Sequence, residues 1–465
     1  MVFSSLFFLC AFLPVVFLLD RLARSITLKN ALLIVASLVF YAYGEPILVL
    51  LMLASTAFNW LMGRLVGQSE SPVVRKASLV TAVVINLGLL GVFKYAGMFV
   101  STLNGLVGLS LPVPNIPLPL GISFYTFQAL SYVIDVYRGD VEYQSNYPRV
   151  LLYISFFPQL VAGPIVKYHD IAEEMQNRHA SMLDVACGLR RFCCGLAKKV
   201  LVANTMAGVA DAFFDMDPAS VGCAGAWLAA FSYLMQIYFD FSGYSDMAIG
   251  LGRVFGFHFK ENFDHPYASK SIKEFWRRWH MSLSTWLREY LYFPLGGNRK
   301  GRARAIINRV IVFLVCGLWH GANWTFVVWG LLHGLFLLLE DVVPIRKLPK
   351  ALGAVYTILV VTCTFVIFRA DTLGQAAGFL TAMFTGASGG RLAQVLFVEQ
   401  LTPLFLATFV VAVVLASSLP QRLTMRADAA PAITMASYAC AFVLLFLCMV
   451  NLSSGTYNPF IYFRF

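Results

Sequence analysis

Residues 271–301 read SIKEFWRRWHMSLSTWLREYLYFPLGGNRKG, and after a short basic loop residues 310–334 read VIVFLVCGLWHGANWTFVVWGLLHG. These two segments hold His280, His320 and His333, three of the chain's seven histidines, and Trp276, Trp279, Trp286, Trp319, Trp324 and Trp329 of its eight tryptophans. Ser271 followed three residues later by Glu274 has the spacing of a capping box, so a helix is predicted to start there. At about 100° per residue, Ile272, Trp276, Trp279, His280, Leu283, Leu287 and Tyr290 share one face, and Arg277, Arg278, Thr285, Arg288 and Glu289 the other. Pro294, Gly296 and Gly297 end it. One aromatic face and one arginine face suit a helix lying along a membrane surface, with His280 turned inward.

The second segment rises from the basic loop (Arg299, Lys300, Arg302, Arg304, Arg309) as an apolar run from Val310 to His320. At about 1.5 Å per residue the run is roughly 15 Å long, half a bilayer's hydrocarbon core. His320 is therefore expected near mid-membrane, with Gly321, Ala322 and Asn323 breaking or kinking the helix beside it. An imidazole at that depth is a functional-site hypothesis by default.

Composition sets the class. The chain of 465 residues is 59% hydrophobic and 13% charged, with a mean hydropathy of +0.73. That reads as an all-α, polytopic integral membrane protein rather than a soluble enzyme. Apolar runs able to span occur near 2–19, 31–43, 47–65, 77–100, 151–166, 183–202, 227–250, 310–339, 355–368, 401–417 and 433–450. Roughly ten to twelve crossings are expected, with re-entrant and interfacial helices besides. No repeat, low-complexity tract or soluble domain interrupts the sequence, so residues 1–465 read as one transmembrane domain with an active-site core at 228–340.

Charge gives a topology. Arg21 and Arg24 follow the first apolar run instead of preceding it, the reverse of a cleavable signal peptide. Arg21, Arg24 and Lys29, and later Arg64, Arg75 and Lys76, place alternate loops in the cytoplasm, so the amino terminus is expected outside. The same bias puts the Arg299–Arg309 loop inside, and Arg422 and Arg426 mark a further inner loop. The net charge of +11 is mostly these loops meeting anionic lipid. The Arg277, Arg278 and Arg288 face is additionally suited to an anionic acyl donor from the cytosol. Spans interrupt the basic residues, which argues against nucleic acid.

Polar groups inside apolar stretches come next. Pro112, Pro114, Pro117 and Pro119 exclude a spanning helix, so 111–118 is an extended segment leading into a helix that carries Ser123, Tyr125, Gln128, Tyr132 and Asp135. These groups either line water or bond between helices. Tyr233, Gln236, Asp240, Gly243, Tyr244 and Met247 form a similar stripe. An intramembrane Asp240 must pair with a core arginine or orient a histidine. His169, His179, His258 and His265 read as solvated or packing residues, and His333 as a buried hydrogen-bonding group. The nine cysteines show neither a C-x-x-C pair nor metal-ligand spacing, and read as packing residues; Cys316, four residues before His320, is a weaker nucleophile candidate.

The stretch FWRRWHMSLSTWLREYLYFPLGGNRKG with LWHGANWTFVVWGLLHG resembles the signature of the membrane-bound O-acyltransferase family. It most resembles the bacterial branch that O-acetylates alginate and, more distantly, the branch that D-alanylates teichoic acid. YGEP at 43–46, PLGISFYTFQALSYVIDVYRG at 119–139, FFPQLVAGPI at 156–165, QIYFDFSGYSDMAIGLGRVFGF at 236–257, FRADT at 368–372 and the terminal PFIYFRF carry the resemblance along nearly the whole chain. It implies the family's helical fold around a central tunnel, with His320 as the catalytic histidine and His280 as the second active-site position.

Acyl transfer requires a base near neutrality to take a hydroxyl proton as the oxygen attacks an acyl carbonyl, and imidazole suits that task. His320 takes this role and His280 a second proton-handling or donor-orienting one. Asn323, Trp319 or a backbone N–H near Gly321 is expected to stabilise the oxyanion. Trp276, Arg277, Arg278, Asp240 and Gln236 complete the substrate-binding candidates. No bound cofactor or metal is expected; acetyl-coenzyme A or another acyl thioester is the cytosolic donor substrate. An exported polysaccharide is the acceptor, reached directly or through a separate periplasmic or extracellular acetyltransferase, from a bacterial inner membrane whose lipids surround the chain. D-alanyl transfer to teichoic acid, or lipid acylation, is the alternative within acyl transfer. A proton-coupled transporter is the alternative of another class, although no internal repeat supports it.

Overall fold

The computed structural model describes residues 1–465 except 162, 387, 420–430, 456–460 and 462–465. Arg422, Arg426 and the terminal PFIYFRF, apart from Ile461, lie outside the described residues. Among the described residues regular structure is entirely helical. Eight helices are long and apolar enough to cross a membrane: Leu48–Gln68, Pro72–Val107, Met182–Phe214, Pro218–Val254, Arg302–His320, Trp324–Val342, Lys350–Arg369 and Ile433–Ser453. Arg391–Gln400 and Pro403–Ala416, bent by 71°, make a ninth if taken together.

That count is smaller than the number of apolar runs for local reasons. The run at 2–19 becomes a π-helical turn, Phe8–Phe12, and a short helix, Leu13–Leu22. The run at 31–43 lies in the Ile26–Ala42 helix, which has 17 residues. The run at 151–166 breaks into Tyr147–Ser155, Phe157–Leu160 and non-helical chain, because Pro158, Gly163 and Pro164 interrupt the backbone ladder. The run at 310–339 resolves into two helices joined by three residues.

The described chain divides into two compact units, residues 1–192 with 245–260 and residues 193–244 with 261–465. In the first, buried amides of Asn59 and Asn86 bond reciprocally between two spans, at 3.1 and 2.7 Å. The proline stretch after Gly108 is extended, as its composition requires, and leads into the Ile122–Arg138 helix. Tyr132 and Asp135 of that helix's polar stripe, and Ser131 beside them, are spent on bonds within this unit. Tyr132 Oη accepts from the Gln144 N–H at 3.0 Å, Ser131 meets Tyr153 at 3.2 Å, and Asp135 meets His169 at 3.0 Å.

The second unit holds residues 271–334. Arg302–His320 and Trp324–Val342 form an antiparallel hairpin. Their backbones touch: a Cβ on Gly317 would stand 2.3 Å from the Phe326 carbonyl oxygen, and one on Gly330 the same distance from that of Phe313. Only glycine permits this approach. Asn323 closes the turn, its side-chain oxygen accepting from Thr325 N at 3.1 Å as an N-cap and its amide donating to the Asp371 carbonyl at 2.8 Å.

The continuous amphipathic helix expected from Ser271 is two helices, Ile272–Arg278 and Met281–Leu287. Ser271 does cap the first, accepting from Glu274 N at 3.1 Å, while the Glu274 carboxylate reaches back to Lys270 N. The break comes from outside the helix. Segment 262–264 clips it from the side, with Asp264 N donating to Arg278 O and Met281 N to Asn262 O, each at 2.9 Å. His280 is left in the left-handed region at φ 45°, an uncommon position for a residue other than glycine, though histidine, asparagine and aspartate reach it more often than the rest. The expected single apolar face therefore does not form, and both aromatic segments are buried.

Candidate active site

His280 is fully buried in the break between the two short helices, outside the eight spans. Its Nδ1 lies 3.2 Å from Asn262 Oδ1. The same oxygen accepts from the Ser282 N–H at 3.2 Å and the Ser282 hydroxyl at 2.9 Å. A backbone N–H can only donate, so that Asn262 atom is the amide oxygen, and His280 Nδ1 must carry the proton. Nε2 is then the lone-pair nitrogen, and it has no hydrogen-bond partner among the described residues. Burial pushes the His280 pKa down to about 3, so the ring is neutral and Nε2 accepts.

His320 is the last residue of Arg302–His320, 6% exposed. Its ring centroid lies 6.4 Å from that of His280. Trp319 at 5.0 Å, Trp329 at 5.1 Å and Phe368 at 5.2 Å meet it edge-on. Trp319 also stands 5.8 Å from His280. His320 lines a cavity of about 10 Å³ with Ile237, Phe241, Trp279, Trp329, Phe365, Phe368 and Ile461. That is the space of about one water or one methyl-sized group. Aromatic rings make up most of its lining. From Arg309, which meets Asp341 at the helix's polar end, eleven residues at roughly 1.5 Å each carry the chain about 16 Å to His320.

A larger cleft of about 360 Å³ lies against the same hairpin. Lys273, Arg277, Arg288 and Arg309 give it a cationic rim, and Val312, Phe313, Cys316 and Leu337 an apolar floor. Lys273 and Arg309 converge on Asp341. Arg277 has no ion-pair partner among the described residues. Arg278 faces elsewhere, paired with Glu274 at 2.9 Å. Cys316 belongs to this cleft's floor, one helical turn before His320. Trp276 also lines it, and its ring packs 5.8 Å from that of Trp329 on the chamber side, so those two indoles stand between cleft and chamber.

His333 is buried, as expected. Its Nδ1 accepts from Trp276 Nε1 at 3.3 Å, and its Nε2 faces Thr364 Oγ1 at 3.1 Å, where the Thr364 hydroxyl is already committed to Val361 O. Asp240 pairs with Lys199 at 2.7 Å, a lysine where an arginine or a histidine was expected, and also accepts from Ile461 N at 2.8 Å. Asn323 is held by its cap and by Asp371. Gln236 is buried beside Ile237, with Oε1 unpartnered among the described residues, and does not line the chamber. Asn262 was not legible from local spacing, because it lies 18 residues before His280 and reaches it only through the tertiary clip. Trp329 was visible as one of six clustered tryptophans but without a role. Among the described residues no cluster of metal-ligating side chains occurs.

Comparison with known proteins supplies the family. The profile of the MBOAT, membrane-bound O-acyltransferase family, matches residues 140–365. The chain is 40% identical over 492 residues to a probable alginate O-acetylase AlgI of Pseudomonas putida, covering all of both chains. It is 36% identical to a peptidoglycan O-acetyltransferase of Helicobacter pylori over 82% of this chain and 80% of that one. Similarity to a teichoic acid D-alanyltransferase of Bacillus subtilis is 29% over 49% of this chain and 60% of the relative. With eight helices apolar enough to span and full-length relatives named as O-acetylases, the chain belongs to the membrane-bound O-acyltransferase family and is a multi-pass membrane O-acyltransferase.

Proposed function

We propose that this protein moves an acetyl group from a cytosolic thioester, acetyl-coenzyme A or a related donor, toward O-acetylation of an exported polysaccharide of the alginate class. The observation that carries the reading is the pairing of His320 with His280, 6.4 Å apart between ring centroids, next to a cleft rimmed by cations. The donor's phosphates meet Arg277 and Arg288, the thioester arm follows the apolar floor past Cys316, and the acyl carbon enters the chamber beside His320.

His320 accepts the acceptor hydroxyl's proton as its oxygen attacks the carbonyl carbon; a C–O bond forms. The tetrahedral intermediate collapses, the C–S bond breaks, and the departing thiolate takes the proton from the His320 imidazolium. His280, neutral through full burial and locked with Nε2 as acceptor, orients a hydroxyl or thiol proton instead of storing one. The rings around the chamber must part for the donor to enter, which keeps bulk water from hydrolysing it. The lysine and arginine bias supports a cytoplasmic Arg299–Arg309 loop in a bacterial inner membrane, an amino terminus outside, and delivery to the outer face directly or through a partner acetyltransferase. A transporter reading has lost its support, because family membership and the paired imidazoles both belong to group transfer.

The test is thiol release from acetyl-coenzyme A by the purified full-length protein in lipid nanodiscs. Turnover is expected, and Arg277→Gln should raise KM about tenfold with kcat within about twofold, the pattern of lost uniform binding. No turnover of any acyl-coenzyme A by the wild-type protein would contradict the donor assignment.

A further inference from the structure

Trp329 is 1% exposed, and its indole Nε1–H has no hydrogen-bond partner among the described residues. Indole nitrogen is a donor only, and a buried donor left unpaired loses its water without gaining a partner in return. Native interiors leave few such groups, so each asks for a reason. The nearest polar ring cannot supply a partner. His333, 4.9 Å away between centroids, receives Trp276 Nε1 on one nitrogen and faces Thr364 on the other. Trp276 thus has its partner while Trp329, packed against it, has none.

Trp329 also lines the chamber of His320, with its ring edge-on at 5.1 Å and 87°. Acyl transfer places new negative charge on one atom, the former carbonyl oxygen, within that chamber. Of the side-chain donors expected for it, Asn323 is committed to its helix cap and Asp371, and Trp319 does not line this cavity.

We infer that Trp329 is a catalytic residue whose Nε1–H donates to the oxyanion of the tetrahedral intermediate. The inference rests on the acyl-transfer reading of His320 and deepens it. As the hydroxyl oxygen bonds to the carbonyl carbon, the C=O π electrons move to oxygen, the proton goes to His320, and the Trp329 N–H bond shortens its contact to that oxygen. Collapse restores the C=O bond and expels the thiolate. A donor fixed by packing before reaction needs no reorganisation as charge develops.

The test is Trp329→Phe, which keeps an aromatic ring and removes the donor, and Trp329→3-benzothienylalanine, which keeps the bicyclic shape with sulfur in place of N–H. Both are assayed for thiol release from acetyl-coenzyme A in nanodiscs, alongside thermal unfolding. For each folded variant kcat should fall about a hundredfold or more while KM stays within about twofold. If the phenylalanine protein does not fold, the benzothienyl variant decides. A folded benzothienyl variant with kcat within about threefold of wild type would overturn the inference and leave the role of His320 intact. A wild-type protein inert toward every thioester would instead overturn the acyl-transfer reading, and this inference with it.

Discussion

Asn262 and His280 are joined through a single oxygen that can only accept. Asn262 Oδ1 takes the Ser282 N–H and hydroxyl and lies 3.2 Å from His280 Nδ1. A neutral amide thereby fixes which nitrogen of a buried imidazole carries the proton, a task usually given to a carboxylate. In a site this dry the choice has a physical reason: a carboxylate would add a buried charge and favour imidazolium, whereas an amide leaves the ring neutral.

Replacing Asn262 by Ala should therefore free His280 to adopt either tautomer. With acetyl-coenzyme A as donor, kcat is expected to fall at least about tenfold while the protein still folds, because general acid–base groups contribute roughly 10²–10⁴ when correctly held. Thiol release and thermal unfolding on the same preparation check this; unchanged kcat in Asn262→Ala would remove the lock from the mechanism.

The chamber's size sets a second expectation. Six of its lining side chains are rings, and the other two are Ile237 and Ile461. A space of about one methyl-sized group admits acetyl and excludes longer chains. Ile237→Ala or Ile461→Ala should raise kcat/KM for butyryl-coenzyme A relative to acetyl-coenzyme A by about tenfold, the usual worth of a methylene in a fitted apolar pocket. Competition between the two donors measures the ratio directly, and an unmoved ratio would locate chain-length selection elsewhere.

How much of this was open to reading depended on whether the cause was local. Binary hydrophobicity gave the class, proline spacing gave the extended segment after Gly108, and Ser271 with Glu274 gave a true helix start. Helical periodicity failed at His280 because the interruption is imposed by residues 262–264, whose bonds to Arg278 and Met281 no pattern within 271–293 encodes. Pairings such as Lys199 with Asp240 were equally hidden. The sequence asked for a core arginine or a histidine beside Asp240, and packing supplied Lys199. His320 and His280 were named through family resemblance, and their mutual geometry required the fold.

His169 was expected to be merely solvated or packing, and instead sits between Asp135 at 3.0 Å and Asp170 at 3.3 Å. Its bonds to Asp135 and then Asp170 raise it from 6.5 to about 9. Burial opposes ionisation of Asp170, but its bonds to His169 and Lys260 hold it at about 2. A raised histidine contributes stability that is complete below about 6.5 and is lost as pH rises through about 9. A depressed carboxylate contributes above 3.8 and is lost as pH falls through about 2. Stability should thus decline between pH 6.5 and 9 in the wild-type protein, modestly because His169 is partly solvated, and less so in His169→Ala. Unfolding midpoints measured across that range in detergent test it; parallel curves for the two proteins would show that the cluster does not control this loss.

The most direct measurement concerns His320 itself. Full-length wild-type and His320→Ala proteins, matched for folding by thermal unfolding, are compared for thiol release from acetyl-coenzyme A in nanodiscs. Loss of at least about a hundredfold in kcat is expected for the variant, in line with removal of a general base. A folded His320→Ala protein that keeps wild-type kcat would contradict the account.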